Sequence, residues 1–155
     1  MSSQRDLLAG LTDREAMDVL ALGTRVTLAA GETLFPLGAA ANSLYLIQVG
    51  LITLSMPMQI AGREEEVRID ERLPGQTVGW STLIPPHRFT LTATAPVMTE
   101  LLAFPREKLL QHFESQPLVG YAVARNIAAL VGERLQVFQA MWLRQVQQMV
   151  NAAHA

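Results

Sequence analysis

The residues of this chain that are equipped for chemistry crowd into one stretch, Leu73 to Ala95, which reads LPGQTVGWSTLIPPHRFTLTATA. Two hydroxyls, Ser81 and Thr82, follow directly on Gly79 and Trp80, a guanidinium, Arg88, stands beside His87, and Thr90 adds a third hydroxyl. Hydroxyls and free backbone N–H groups at a turn, set opposite a guanidinium, suit a phosphate or a carboxylate. The stretch therefore reads as a site for a small anionic ligand, with Gly79, Trp80, Ser81, Thr82, Arg88 and Thr90 as its candidate residues. Plainer roles stand beside these. Ser81 and Thr82 are placed to cap a short helical turn, His87 to face water, and the Trp80 indole to fill a core.

Other chemistries lack their residues. No cysteine is present, which removes disulfides, thiolate zinc sites and Cys-ligated iron–sulfur clusters. His87, His112 and His154 fall in a loop, a helix and the tail with no H-x-H pair, so no metal site is expected. No Ser-His-Asp order, phosphate-binding G-x-x-x-x-G-K loop or G-x-G-x-x-G stretch occurs, and we expect no enzyme. With 12 Lys and Arg against 14 Asp and Glu, net charge −2, the chain lacks the basic signature of a nucleic-acid binder. The longest uncharged run, Thr33 to Gly62, is interrupted by Gly, Pro, Asn and Gln, so no membrane span is expected. The opening MSSQRDLLAGLTDREAMD has no apolar signal core, which places the protein in the cytoplasm.

A single domain of 155 residues must position the stretch. Ser2 to Leu22 reads as helical, with a T-x-x-E capping box at Thr12 and Glu15 and a stop at Gly23. From Thr24 the period becomes strand-like: Thr24–Leu28, Thr33–Phe35, Leu44–Val49, Leu51–Met56, Glu66–Asp70, Phe89–Ala95 and Met98–Phe104. Gly50 alone between two strands suggests a tight hairpin or a bulge, and Ala61 to Glu64 a polar loop tip. Many short strands with glycine turns predict a mainly β fold, an antiparallel barrel or jelly roll. Pro105 opens a short helix, Arg106 to Glu114, and Pro117 a long one that reaches about Ala153. At roughly 35 residues, near 50 Å, that helix outlasts a small barrel. Ala128, Leu135, Trp142 and Met149 recur by heptad, as do Val131 and Phe138, with Gln145 as a polar exception. The stripe reads as the seam of a homodimer, against the alternative that it packs only on its own barrel. The expected division is an N-terminal helical segment 1–23, a β-roll 24–104 and C-terminal helices 105–155.

The order and motifs of these elements resemble the cyclic-nucleotide-binding domain of the catabolite activator/fumarate-nitrate regulator superfamily. Gly31-Glu32-Thr33-Leu34-Phe35 with Gly38 is similar to its G-E-x-L motif, and Ser43-Leu44-Tyr45-Leu46-Ile47 with Gly50 to its L-Y-x-I-x-x-G. Pro74-Gly75-Gln76-Thr77-Val78-Gly79 resembles its P-G-D-x-x-G, and Glu100 to Arg106 the strand that leads into the later helices. The resemblance implies an eight-stranded antiparallel jelly-roll barrel and a sensor whose glutamate accepts a ribose hydroxyl and whose arginine pairs with a cyclic phosphate. Here Trp80 stands at the glutamate position and Phe89 at the arginine position, with Thr90 and Leu91 after it. Arg88 is one residue early and would face the opposite way along a strand, unless a one-residue adjustment of the loop near Pro85-Pro86 restores it. The pattern G-W-S-x-L-x-P-P-x-R from Gly79 to Arg88 resembles a subgroup without the usual anchors. Two functional expectations follow. One is a regulatory domain that senses a small anionic ligand, a cyclic nucleotide being the implied one, and signals through its dimer helix. The other is a degenerate domain with a plugged pocket, a dimeric interaction module for an unknown protein partner, or the sensor part of a transcription regulator. The superfamily's helix-turn-helix would begin about where this chain ends, so DNA binding by this chain alone is not expected. A cupin-type metalloenzyme, which shares the roll, ranks last.

Overall fold

The computed structural model describes residues 5–154. Eight strands form: β1 (Thr24–Leu28), β2 (Thr33–Phe35), β3 (Ser43–Val49), β4 (Ile52–Ile60), β5 (Arg63–Arg72), β6 (Thr77–Val78), β7 (Thr92–Thr94) and β8 (Thr99–Pro105). They are antiparallel but lie in two four-stranded sheets, ordered β1-β8-β3-β6 and β2-β7-β4-β5. The expected eight-stranded jelly roll is present, and since no strand pair joins the sheets among the described residues it is an open sandwich. Its interior is built from the inward residues of both sheets, among them Leu28, Ile47 and Leu101 from one and Phe35, Ile52 and Leu54 from the other.

Alternation along β3 sends Tyr45 and Ile47 into that interior and Leu44 and Leu46 to the other face. That outer face is covered by helices α1 (Asp13–Leu20), α2 (Arg106–Ser115) and α3 (Pro117–Ala153). Leu44, Leu46 and Phe104 meet Val19, Leu109 and Val123 there in a second core. At 37 residues α3 spans about 55 Å.

Four local expectations differ from the structure. The N-terminal helix is shorter than Ser2 to Leu22, and residues 2–4 lie outside the described part. A 3-10 turn, Asp6–Leu8, is separated from α1 by Gly10 at φ +85°, which no helix tolerates. α1 then starts at the capping box, with Glu15 N–H donating to Thr12 Oγ1 at 3.1 Å and Thr12 N–H to Glu15 Oε1 at 2.9 Å. The β4–β5 ribbon is longer than its apolar centre suggested. Only Ala61 and Gly62, both at positive φ, make the turn, and Arg63 and Glu64 already pair with Ile60 and Gln59. Between Phe89 and Ala95 only β7 is regular strand.

Gly50 makes neither a hairpin nor a bulge between paired strands. β3 and β4 lie in different sheets, and Gly50, at φ +89°, turns the chain from one to the other. A Cβ there would sit 2.5 Å from the Met98 carbonyl oxygen and 2.9 Å from Thr99 Cα. Gly50→Ala therefore meets both a left-handed backbone and fixed neighbours. We expect it to lower the unfolding free energy by about 2–3 kcal/mol in urea titrations. A loss under about 1 kcal/mol would mean that the corner relaxes.

Candidate functional site

The site stretch hangs on β6, which pairs with β3 through Tyr45↔Val78 and Leu46↔Thr77. Gly79, at φ +85°, turns the chain directly into a 3-10 turn, Trp80–Leu83. An added Cβ at Gly79 would approach the Phe89 ring to 3.2 Å. Thr82 is fully buried, and its hydroxyl donates to the Ser43 carbonyl at 2.7 Å, which ties the turn to β3. Arg106 reaches in from α2 and donates to the carbonyls of Ala41 at 2.7 Å and Thr82 at 3.3 Å. The turn is thus fastened from two sides.

Beyond it, Arg88 and Phe89 point opposite ways. Arg88 is exposed, bridges to Ala40, and donates from Nη1 to the Gly38 carbonyl at 3.0 Å. His87 turns its Nδ1 to the Ser81 carbonyl at 3.3 Å. Phe89 enters the sandwich and stacks on Phe35, ring centroids 3.6 Å apart and planes 9° from parallel. Tyr45 stands 6.1 Å from Phe35, and Phe138 packs on the same cluster from α3. Burial pushes the Tyr45 phenol pKa up. What remains between Gly79, Trp80, Ser81, Phe89, Thr90 and Arg134 is a void of about 20 Å³. That is room for about one water molecule.

Of the six candidate residues, Gly79, Trp80, Ser81 and Thr90 line this void. Thr82 is committed to the Ser43 carbonyl, and Arg88 lies outside on the Gly38 carbonyl. The structure therefore brings together the turn and two of the three hydroxyls, Ser81 and Thr90, but not the guanidinium.

A second polar centre escaped the sequence reading. Asp6 accepts from Arg72 Nη2 at 3.0 Å, from the Thr77 amide at 3.1 Å and from the Thr77 hydroxyl at 2.5 Å. Asp70 takes Arg72 Nη1 at 3.7 Å and Arg134 Nη2 at 3.3 Å. The chain of charges thus runs from the N-terminal segment through β5 to α3. Burial pulls the Arg134 pKa down, and Asp70 beside it pulls back. Arg72 Nε and Arg134 Nη1 are buried without a partner. Both residues border a cleft of about 230 Å³ outside the sandwich, with Trp80, Glu133 and Val137 on its walls. One signal was available: Asp70 and Arg72 are two apart on a strand and so share a face. Nothing pointed to Asp6, 66 positions away from Arg72.

The long helix divides its apolar residues between two faces. Val131 and Phe138 pack against their own domain, whereas Ala128, Leu135, Trp142 and Met149 are exposed. Asn126 joins α3 to the N-terminal segment, donating to the carbonyls of Leu7 at 2.8 Å and Ala9 at 2.9 Å. Among the described residues, no group of three or more His, Asp or Glu side chains is placed to hold a metal. No described helix is long and apolar enough to cross a membrane.

Comparison with known proteins gives the geometry its context. A family profile described as the cyclic nucleotide-binding domain matches residues 25–116. The catabolite activator protein of Thermus thermophilus is 28% identical with a TM-score of 0.74, over 92% of this chain and 63% of that one. The N-terminal domain of a transcriptional regulator from Streptomyces coelicolor is 28% identical with a TM-score of 0.70, over 86% of this chain and 91% of that one. Among curated proteins, a glutaminase 2 of Bradyrhizobium diazoefficiens is 26% identical over 133 residues, 85% of this chain. This chain spans about a fifth of the length of that relative, the matched part being 20% of it.

Proposed function

The chain belongs to the cyclic nucleotide-binding domain family, and from that premise we propose that it is a non-enzymatic regulatory module whose sandwich interior is sealed against a nucleotide. It works by association: a homodimer through the outer stripe of α3, presented to a protein partner in the cytoplasm. The observation that carries this reading is the Phe35–Phe89 stack, which occupies the interior and leaves about 20 Å³. The glutamate and arginine that would anchor a nucleotide are represented by an indole and by this buried phenyl ring. The relatives support a module that accompanies other machinery, since similar segments occur in a catabolite activator protein and within a glutaminase. The revised seam is Ala128, Leu135, Trp142 and Met149 with Val146 and Ala153, because Val131 and Phe138 are occupied at home.

A second reading, the ligand sensor, is favoured by the intact Gly79 turn and by Ser81 and Thr90 on the void. It requires the Phe89 ring to leave. Thermal unfolding with cyclic AMP, cyclic GMP and cyclic dinucleotides separates the two. We expect an unchanged Tm with each. A ligand at ~100 times its Kd would add about 2.7 kcal/mol, several degrees for this size, and such a shift would establish the sensor instead.

A further inference from the structure

Resting on the dimer reading, we propose that two dimers of this chain associate through the outer end of α3, residues 139–153, into a four-helix bundle. The outward stripe steps by four and three through Leu135, Gln139, Trp142, Val146, Met149 and Ala153. Two such positions in every seven suffice for a two-stranded seam, and one polar residue among them, Gln139, is a register device of such seams. A third series joins only at the far end. The residue after Leu135 is Gln136, but those after Trp142 and Met149 are Leu143 and Val150.

Leu143 is 65% exposed and Val150 45%, beside Trp142 at 65% and Met149 at 63%. At about 100° per residue, the arc from Met149 to Leu143 is about 120° wide. Three apolar positions in seven is the face of a helix in a bundle, not of a two-helix seam. Polar residues bound the arc: Arg144, Gln147 and Asn151 occupy the far side of the same turns. No charged residue lies within the arc to repel a second identical surface. Once one partner helix covers Trp142 and Met149, Leu143 and Val150 remain as an apolar flank. A second dimer presents the same flank and satisfies it by symmetry.

Light scattering coupled to size-exclusion chromatography of the 155-residue chain tests this. The expected mass is four times the 17.0 kDa of one chain. L143K/V150K should halve it, and L135K/W142K should reduce it to one chain. All four side chains are exposed, and circular dichroism checks that each variant folds. A wild-type mass of two chains overturns the bundle and leaves the dimer reading standing. A mass of one chain overturns both. A four-chain mass that survives L143K/V150K overturns the bundle contact.

Discussion

Phe89→Ala will lower the unfolding free energy by about 3–5 kcal/mol and open the interior of the sandwich. The ring is 6% exposed and lies flat on Phe35, itself 5% exposed. Its removal forfeits the transfer energy of the phenyl group and leaves a cavity, because Gly79, Tyr45 and the strands around it are hydrogen-bonded in place and collapse only in part. The walls are apolar toward Phe35 and Leu54 but carry Ser81, Thr90 and Arg134 on the other side, so the new space will admit water as well as small aromatic molecules. Phe89→Leu, which keeps much of the volume, should cost under about 1.5 kcal/mol. Urea titrations of the three proteins measure these differences. A loss below about 1 kcal/mol in Phe89→Ala would mean that the ring seals nothing. Cyclic-nucleotide binding by Phe89→Ala alone would identify the ring as the sole obstruction in an otherwise competent site.

The second large effect is expected at Asp6. Its carboxylate is the closest partner of Arg72, whose side chain is 9% exposed. Asp6→Ala leaves that guanidinium buried beside Asp70 alone at 3.7 Å and strands the Thr77 amide and hydroxyl. Removing one member of a buried ion pair costs about 3–5 kcal/mol, and with the Asp6 side chain 25% exposed the lower end of that range is expected. At roughly 2–4 °C per kcal/mol for a domain of this size, Tm should fall by about 10 °C. Adding Arg72→Met to Asp6→Ala should recover part of the loss, since the buried charge disappears with its partner. Strict additivity of the two losses would show that the groups do not act together. Glu133→Gln, at an exposed position on the same cleft, should change stability by less than about 0.5 kcal/mol.

Much of this architecture is legible in the residues. Strand alternation and the Thr12–Glu15 box follow from local chemistry, whereas the expectation that Trp80 and Phe89 stand at the anchor positions rests on the family resemblance. What was illegible depended on partners distant in sequence. A lone glycine suits a hairpin, a bulge or a change of sheet, and only the Met98–Thr99 backbone behind Gly50 decides among them. On α3, apolar series flank the Ala128–Leu135–Trp142–Met149 stripe on both sides, Val131 and Phe138 on one and Val146 and Ala153 on the other. Periodicity cannot rank two such companions, and the domain's own core takes the bulkier set. The ion network is quieter still, because charged residues on an open chain carry no mark of the one partner that folding will bring.

The Asp70–Arg134 pair also makes α3 a lever. It is the last ion pair along the helix among the described residues, and Ala153 lies 19 positions beyond Arg134. At 1.5 Å per residue, that arm is about 28 Å long. A tilt of about 5° at the pair would carry the tip about 2.5 Å, close to half a helical turn's rise. Displacements at the pivot smaller than a bond length thus become side-chain-sized steps at Met149 and Val150. Whatever grips the far end of the helix is mechanically positioned to register a rearrangement of two carboxylates and two guanidiniums at the edge of the sandwich.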